Sequence, residues 1–503
     1  MRHSELSRRR FLGVTLLGLT RKSGREIGGE FVHESHALGH QLRDGARFPT
    51  PCETRTVPIV IVGGGIAGLS AAWRLRKRGT AFVLLEMEAT AGGNARFGQN
   101  GVTGFPWAAH YVPVPGPRAV LVRELFEELG VLRNGEWDEQ QLCQAPQERL
   151  FLHGRWQDGL EPLVGPTSRD RDQFARFDAR VDAARATGQF TIPLALGARP
   201  SPLDRLSMAA WLTEQKLDSS WLRWWIDYAC RDDYGARADA TSAWAGLHYF
   251  AARERHEPGP LTWPEGNGWI TRHLLDRVGA FVKTGQVVYR VARSGHRWRV
   301  STPQTAWTAD AVIFAAPSFL ASRIVEDGPA TPDFEYSPWL TANLTLDRWP
   351  RERGIPPAWD NVIFDSPALG YVVATHQSLR TFIPETVWTY YWALDQGTAR
   401  TNRAWLLAQD WHALRERVLD DLSRAHPDIR ACVTRVDICR MGHAMIRPTP
   451  GFLASASRRQ LLASRDRLFY AHSDVSGLSL FEEAQYRGVT AADRALDVLS
   501  GVG

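Results

Sequence analysis

The stretch IVIVGGGIAG, residues 59–68, sets three glycines where an apolar run meets a helical pattern. Gly63, Gly65 and Gly68 fit G-x-G-x-x-G. Gly63 permits a tight turn, Gly65 removes a side chain where a pyrophosphate would approach, and Gly68 lets the helix pack on the strand. The helix start, with Ala67, would present free N–H groups and a partial positive charge to phosphates. Glu86 ends the next apolar run about 20 residues on, where an acid accepts hydrogen bonds from adenosine ribose hydroxyls and disfavours a 2′-phosphate. EMEATAGGNARFG follows, with Gly92 and Gly93 as a second pair. A second close approach of backbone suits an extended FAD and is not needed for NAD. FAD is therefore the expected cofactor, with Asn94 and Arg96 beside it.

Aromatic and histidine residues supply the remaining chemistry. VWTYYWAL, 387–394, is the densest aromatic cluster. In a strand Tyr390 and Trp392 share one face and Tyr391 takes the other, so one face can line a flavin pocket and the other the core. Tyr390 and Trp392 are the candidates taken from it. His110 in GFPWAAHYVPVP, His376 beside Gln377 in GYVVATHQS, and His443 near Arg447 in MGHAMIRPTPG are candidate proton acceptors, since a neutral imidazole can take a proton from a substrate amine or alcohol. The chain has 15 histidines, so a structural role is the alternative for each. His36 and His40 have the i, i+4 spacing of a metal pair but no third ligand, and no metal is expected.

These residues must be positioned by several domains' worth of chain. With 503 residues, 44% hydrophobic and 23% charged, the composition is globular. A formal charge of +5 with no basic tract among aromatics gives no reason to expect nucleic acid. Only four lysines occur: Lys22, Lys77, Lys216 and Lys283. The five cysteines contain no C-x-x-C. Isolated thiols are expected, with Cys432 and Cys439 able to pair in an oxidising compartment. The N-terminus, SRRRFLGVTLLGLTRK from Ser7, resembles a twin-arginine export signal. Its apolar run is too short to span a bilayer, and no transmembrane helix is expected elsewhere. That reading implies the export machinery as a partner and a periplasmic location, membrane-associated if the signal is retained.

The pattern predicts a strand over 57–62, a helix over 69–78, a strand over 81–86 and an amphipathic helix over 117–130. Further helices are expected over 167–188, 207–217 and 219–229, each with Ser or Thr at its start. A small meander over 285–317, a strand-rich stretch over 330–400, a helical stretch over 403–424, and a closing strand and helix follow. The resulting division is an export signal (1–30), a lead-in segment (31–56), three dinucleotide-type parts (57–130, 261–325, 446–503), and a substrate domain inserted twice (131–260, helical; 326–445, strand-rich). The fold class is α/β: a Rossmann-type domain with an inserted mixed substrate domain.

Five segments, VGGGIAGLSAAWRL, LLEMEATAGGNARFG, VVYRV, ADAVIFAAP and LFYAHSDVSGLSLFEEAQYRGVTAA, resemble the flavin amine oxidase-like superfamily of amine oxidases, protoporphyrinogen oxidases and carotenoid desaturases. The resemblance covers the FAD-binding segments well and the substrate segments poorly. It implies Val288 near the adenine, Ala316 in the second dinucleotide segment, and Trp107, Ala108 and His110 passing the flavin ring. It also implies that the last helix, from Phe481 and Glu482, points its N-terminus at the flavin, where a helix dipole stabilises negative charge on the reduced ring. The sequence departs from the family in three places. Asn94 stands where an arginine is common, with Arg96 two residues on. Ala471-His472-Ser473-Asp474 replaces A-G-E/D, leaving either Ser473 or Asp474 to face the ribityl chain. No lysine follows Lys283, so the lysine that holds a water at flavin N5 in many amine oxidases is missing. FAD is expected to be non-covalent, with His472 the candidate for any linkage. The expected activity is amine oxidation by hydride transfer to FAD. The alternatives are oxidation of an apolar or macrocyclic substrate and a non-enzymatic flavoprotein that partners another protein. The electron acceptor is left open among oxygen, a quinone and a redox protein.

Overall fold

The computed structural model describes residues 26–33, 35–197, 199–253 and 259–501. The expected twin-arginine motif lies outside them. Two sheets organise the chain. The first has seven strands, and its parallel heart joins Phe82–Leu85, Glu53–Val62, Thr305–Phe314 and Leu468–Tyr470. Ile59, Ile61 and Phe82 on one side, and Val60, Val62 and Val83 on the other, are all buried. Continuous apolar runs such as IVIV and FVLL are what a parallel strand covered on both faces requires. The meander Arg290–Ser294, Arg297–Ser301, Thr305–Phe314 extends this sheet antiparallel. The first strand begins at Glu53, four residues before the predicted start, because it runs beside the whole of Thr305–Phe314.

The dinucleotide-type helix, Ile66–Lys77, starts directly after Gly65, not at residue 69. It packs against the last helix, Phe481–Leu499. Gly488 makes that crossing close: a Cβ there would lie 2.0 Å from the Ala67 carbonyl oxygen.

The second sheet has eight strands. Its centre is antiparallel, with Glu335–Leu346 between Val433–Arg447 and Thr386–Ala393. The strand Val433–Arg447 runs across the boundary predicted at 445/446. Helices Trp411–Ser423 and Ala399–Ala408 pack on one side of this sheet. Helices Ser168–Ala186, Met208–Glu214, Ser220–Tyr234 and Ala243–Ala251 form a separate layer capped by Thr167, Ser207, Ser219 and Ser242. Each cap's side chain accepts a backbone N–H that the first turn leaves unpaired.

The lead-in segment ties the two sheets together. Phe31–Val32 adds in parallel to the edge strand Val433–Arg447. The helix His36–Arg43 then puts Leu42 over the dinucleotide cavity, and Phe48 stacks on Tyr289 at 5.0 Å. His36 and His40 lie ring to ring at 5.5 Å, and no metal-binding group of three ligands exists among the described residues. No disulfide joins the five cysteines; Cys432 and Cys439 are each buried.

Candidate functional site

The two glycine pairs are locked to one another. The Gly92 N–H donates to the Gly64 carbonyl at 2.8 Å. Gly63 has φ +103°, and a Cβ there would stand 2.8 Å from the Ala316 backbone nitrogen. A Cβ at Gly68 would lie 1.9 Å from the Gly63 carbonyl oxygen. Both glycines are therefore required by the protein's own backbone. Gly65 is different: a Cβ there would meet only the Gly93 Cα, at 3.9 Å. Nothing in the chain demands glycine at 65, so the space is kept for something that is not protein.

That space opens into a cavity of about 290 Å³ lined by Gly65, Ala67, Glu86, Gly93, Val288 and Ser473, among others. The helix Ile66–Lys77 has no side-chain cap, so its first N–H groups face the cavity unfilled. Glu86 is held by backbone donors: Gly64 N–H reaches Oε2 at 2.6 Å and Glu88 N–H reaches Oε1 at 2.8 Å. Burial pushes its carboxyl above the usual range, and those two donors pull it back. Arg96 donates to the Gly93 carbonyl at 3.0 Å, while its buried Nη1 makes no hydrogen bond and has only a 3.6 Å ion pair with Glu88 Oε2. An open glycine, uncapped helix N–H groups, an anchored acid and a guanidinium nitrogen with hydrogen-bonding capacity to spare together fit the diphosphate and ribose of FAD.

Gly63, Gly92, Asn94, Ala316, Asp474 and Phe481 also line this cavity, and Gly68 lies beneath it. Asp474 Oδ2 accepts from Ser318 N–H at 2.9 Å and Tyr336 O–H at 2.8 Å, and Oδ1 faces His472 Nδ1 at 3.0 Å. Burial pushes its carboxyl up, but these partners hold it below the usual range. Ser473 makes no hydrogen bond through its side chain among the described residues, so it is the freer of the pair to meet a cofactor. The last helix begins uncapped at Phe481, on the cavity wall.

Trp107 does not reach this cavity. It is buried between Phe105 and His33, edge-on to each at 5.4 and 5.3 Å. Ala108 and Glu482 line a second, adjoining cavity of about 130 Å³. Asn94, Ala109, Asn267, Ala444, Leu480 and Phe481 line both cavities and mark the junction.

The candidate proton acceptors separate. His110 lines the second cavity and stacks on Tyr391 at 4.5 Å. Its Nδ1 sits 3.2 Å from the Ala108 carbonyl, which can only accept, so Nδ1 carries the proton and Nε2 keeps its lone pair. Burial lowers its pKa to about 4. His443 lines the first cavity against Phe319 and is likewise lowered to about 4, by burial and then by Arg403. His376 lies in neither wall; its Nε2 meets the Gln144 carbonyl at 2.8 Å and fastens a loop. Gln377 fastens the same loop through the Gln144 N–H and the Leu142 carbonyl.

The aromatic strand divides as its alternation requires, with the opposite face at the site. Tyr390 donates to Asp421 Oδ2 at 3.0 Å in the core behind the sheet, and Trp392 packs edge-on to Trp405 at 5.8 Å. Tyr391 faces the second cavity and donates to the Ala108 carbonyl at 2.9 Å. Tyr390 and Trp392 are therefore wall-backing core residues, and the tyrosine at the site is Tyr391.

The second cavity is acidic. Asp232, Asp233, Asp360 and Glu482 contribute to its wall, and no lysine or arginine does so among the described residues. Arg253 neutralises Asp233 at 2.9 Å. Among the described residues Asp232 has no hydrogen bond or ion pair. Burial, and then the charge of Asp233, push its carboxyl up to about 7. Asp360 is raised well above its ordinary range by burial, then by Glu148 and Asp232. Tyr228, Tyr391 and Trp339 complete the walls. At the junction Asn267 donates through Nδ2 to the Tyr111 carbonyl at 3.1 Å, leaving Oδ1 buried and unpartnered.

Residues 61–129 match the NAD(P)-binding Rossmann-like domain family. The hydroxyneurosporene desaturase of Cereibacter sphaeroides is 26% identical over 358 residues, 61% of this chain and 66% of that protein, just under two thirds of its length. Among solved structures, wild-type putrescine oxidase bound to putrescine has a TM-score of 0.68 at 16% identity, covering 89% of this chain and 100% of that one. Cyclohexylamine oxidase from Brevibacterium oxydans has a TM-score of 0.66 at 15% identity, over 88% and 99% of the two chains. A putative protoporphyrinogen oxidase from Exiguobacterium has a TM-score of 0.63 at 15% identity, over 89% and 100%. The fold is the Rossmann-type FAD-binding fold of the amine oxidase-like superfamily.

Proposed function

We propose that this protein is an FAD-dependent oxidoreductase that oxidises an amine at the carbon next to nitrogen. The observation that carries this reading is the acidic, aromatic-walled second cavity opening off the cofactor cavity. Asp232 and Asp360 line it with no ion pair among the described residues, which favours a positively charged ligand, and tyrosine and tryptophan faces add a cation–π attraction. FAD, when bound, supplies the hydride acceptor.

The chain's own residues do the rest. Gly65, the Ile66–Lys77 helix start and Arg96 bind the diphosphate, and Glu86 binds the ribose. The uncapped start of the last helix faces the ring end. His110, neutral with its Nε2 lone pair free, accepts the substrate N–H and orients the amine. Its low pKa means that it holds the hydrogen bond without storing the proton. Tyr391 fixes the Ala108 carbonyl that sets the His110 tautomer. The aromatic walls exclude water.

Oxidation of an apolar substrate is the second reading, favoured by the resemblance to hydroxyneurosporene desaturase. It calls for a wide apolar passage, and the carboxylates oppose it. Export by the twin-arginine route, a periplasmic location, non-covalent FAD and an acceptor other than oxygen belong to the same proposal. They are supported by the N-terminal sequence and by the lack of lysine after Lys283.

The test is anaerobic titration of the purified yellow protein with amines, polyamines and amino acids, following flavin absorbance. Bleaching by an amine supports the reading, and readmitted air then identifies or excludes oxygen as acceptor. No bleaching by any amine, in protein that dithionite reduces, overturns it.

A further inference from the structure

We infer that Asn267 and His110 together hold the reacting nitrogen through two N–H bonds, and that the substrate is therefore a primary amine. This deepens the amine reading and rests on it. One atom carries the inference. Asn267 is 2% exposed, and its Oδ1 is buried with no hydrogen-bond partner among the described residues. Its Nδ2 donates to the Tyr111 carbonyl at 3.1 Å. A carbonyl can only accept, so that bond fixes which end of the amide is nitrogen and leaves the oxygen as the free end. A buried acceptor without a donor is a cost to the fold that a ligand N–H removes. Asn267 lines both cavities, so that ligand group belongs at the junction of cofactor and substrate.

His110 repeats the arrangement beside it. Its Nδ1–H is spent on the Ala108 carbonyl, and Nε2 is the free end. Asn267 straddles this histidine: its backbone N–H donates to the Ala109 carbonyl at 3.0 Å and its side chain to the Tyr111 carbonyl. The residue before it packs just as closely, since a Cβ at Gly266 would lie 2.7 Å from the His110 Cα. Tyr391, stacked on His110 at 4.5 Å, also gives its O–H to the Ala108 carbonyl. Three side chains thus spend their donors on the backbone of residues 108–111, and His110 and Asn267 keep a neutral acceptor each. Burial lowers the His110 pKa to about 4, so Nε2 remains an acceptor wherever an amine is neutral.

The chemistry of the reacting nitrogen gives the substrate class. Hydride leaves the carbon as the nitrogen lone pair forms the C=N bond of an iminium, so nitrogen must keep that pair free. Two acceptors touch nitrogen only through its N–H bonds and leave the pair alone. A neutral primary amine has two such bonds, one for each acceptor. A secondary amine leaves one acceptor bare, and a tertiary amine leaves both.

The test uses FAD-loaded protein and a series of primary amines with their N-methyl and N,N-dimethyl derivatives, with concentrations counted as neutral amine. Anaerobic flavin reduction should half-saturate at least tenfold lower for the primary amine than for its N,N-dimethyl form. Asn267→Leu keeps the size of the side chain and removes the acceptor. It should raise the primary amine's value at least tenfold and the N,N-dimethyl value less than threefold. Crowding by the methyl groups persists in the variant, so a lost ratio reports the hydrogen bond. Should Asn267→Leu lose its FAD, Asn267→Ala takes its place. Reduced flavin also carries N–H groups, and the reduction equilibrium of substrate-free protein against a reference dye separates the two donors: it should move less than threefold in the variant. Binding is measured separately on dithionite-reduced protein, where the primary amine should raise Tm more than its N,N-dimethyl form, and no more than it in the variant. If the two amines half-saturate alike, or the variant shifts both equally, the inference fails while amine oxidation stands. A dye equilibrium moved more than tenfold, with the amine ratio intact, assigns Oδ1 to the flavin and overturns the inference. If no amine bleaches the flavin but the Tm difference depends on Asn267, amine oxidation fails and the amino-group cradle stands.

Discussion

Asp232→Asn should stabilise the unliganded protein, and only above neutral pH. In the fold burial raises the Asp232 carboxyl from its ordinary 3.8 to about 7. Below about pH 4 the group is protonated in folded and unfolded chains alike and contributes nothing. Between about 4 and 7 the unfolded chain ionises while the folded chain holds its proton, so stability falls as pH rises. Above 7 both are ionised and the cost is complete. Three pH units at about 1.4 kcal/mol each set a ceiling of about 4 kcal/mol. Arg253 is already counted in that value; relaxation and water reaching the charge bring the cost to about 1–4 kcal/mol. Asparagine keeps the shape and never ionises. With an unfolding entropy of about 2.1 cal/mol/K per residue, each kcal/mol moves the Tm of so long a chain by about 1 °C. The variant should therefore melt about 1–4 °C above wild type at pH 8 and level with it at pH 4. Calorimetry of FAD-loaded, substrate-free protein at the two pH values measures this. An equal gain at both, or a loss at pH 8, would refute the picture of an uncompensated buried carboxylate.

Three other substitutions probe the rest of the site. Gly65→Val should leave the apoprotein folded, since a Cβ there meets only the Gly93 Cα at 3.9 Å, yet it should abolish FAD binding; a variant with normal flavin absorbance would remove the diphosphate from that space. Glu86→Ala should weaken FAD by about 1.5–3 kcal/mol, the worth of hydrogen bonds to a charged group, read by flavin fluorescence on dilution; unchanged affinity would count against a ribose contact. Tyr390→Phe should cost about 1 kcal/mol of stability through its bond to Asp421 and leave flavin reduction alone, whereas Tyr391→Phe should slow reduction by freeing the Ala108 carbonyl. The reverse pattern in stopped-flow reduction would exchange the two faces of that strand.

What the sequence made legible is what sits close together along it. The cradle draws on residues 63–68, 86 and 92–96, a single strand–helix–strand unit in which Gly63 and Gly68 are dictated by local backbone geometry and Gly65 by the space it leaves. Gly488 carries the same kind of signal, a lone glycine inside a helical pattern, which marks close backbone approach. The second cavity has no such unit. His110 follows the second glycine pair, Asp232 lies in the last turn of a helix, Asp360 opens a short strand, and Tyr391 lies towards the end of another; only the packing of the second sheet against Ser220–Tyr234 brings them together. The aromatic strand shows where the limit falls. Alternation separates Tyr390 from Tyr391, but nothing in the strand's own composition says which face meets the cavity. That is decided by the helix Trp411–Ser423, whose Asp421 and apolar side chains cover the Tyr390 face. With that side filled, the strand has only its Tyr391 face left to give to a substrate. The acids then stand out for a physical reason: the core can bury an aromatic on either side of a sheet, but a carboxylate without a partner can be kept only where something else will come to pair with it.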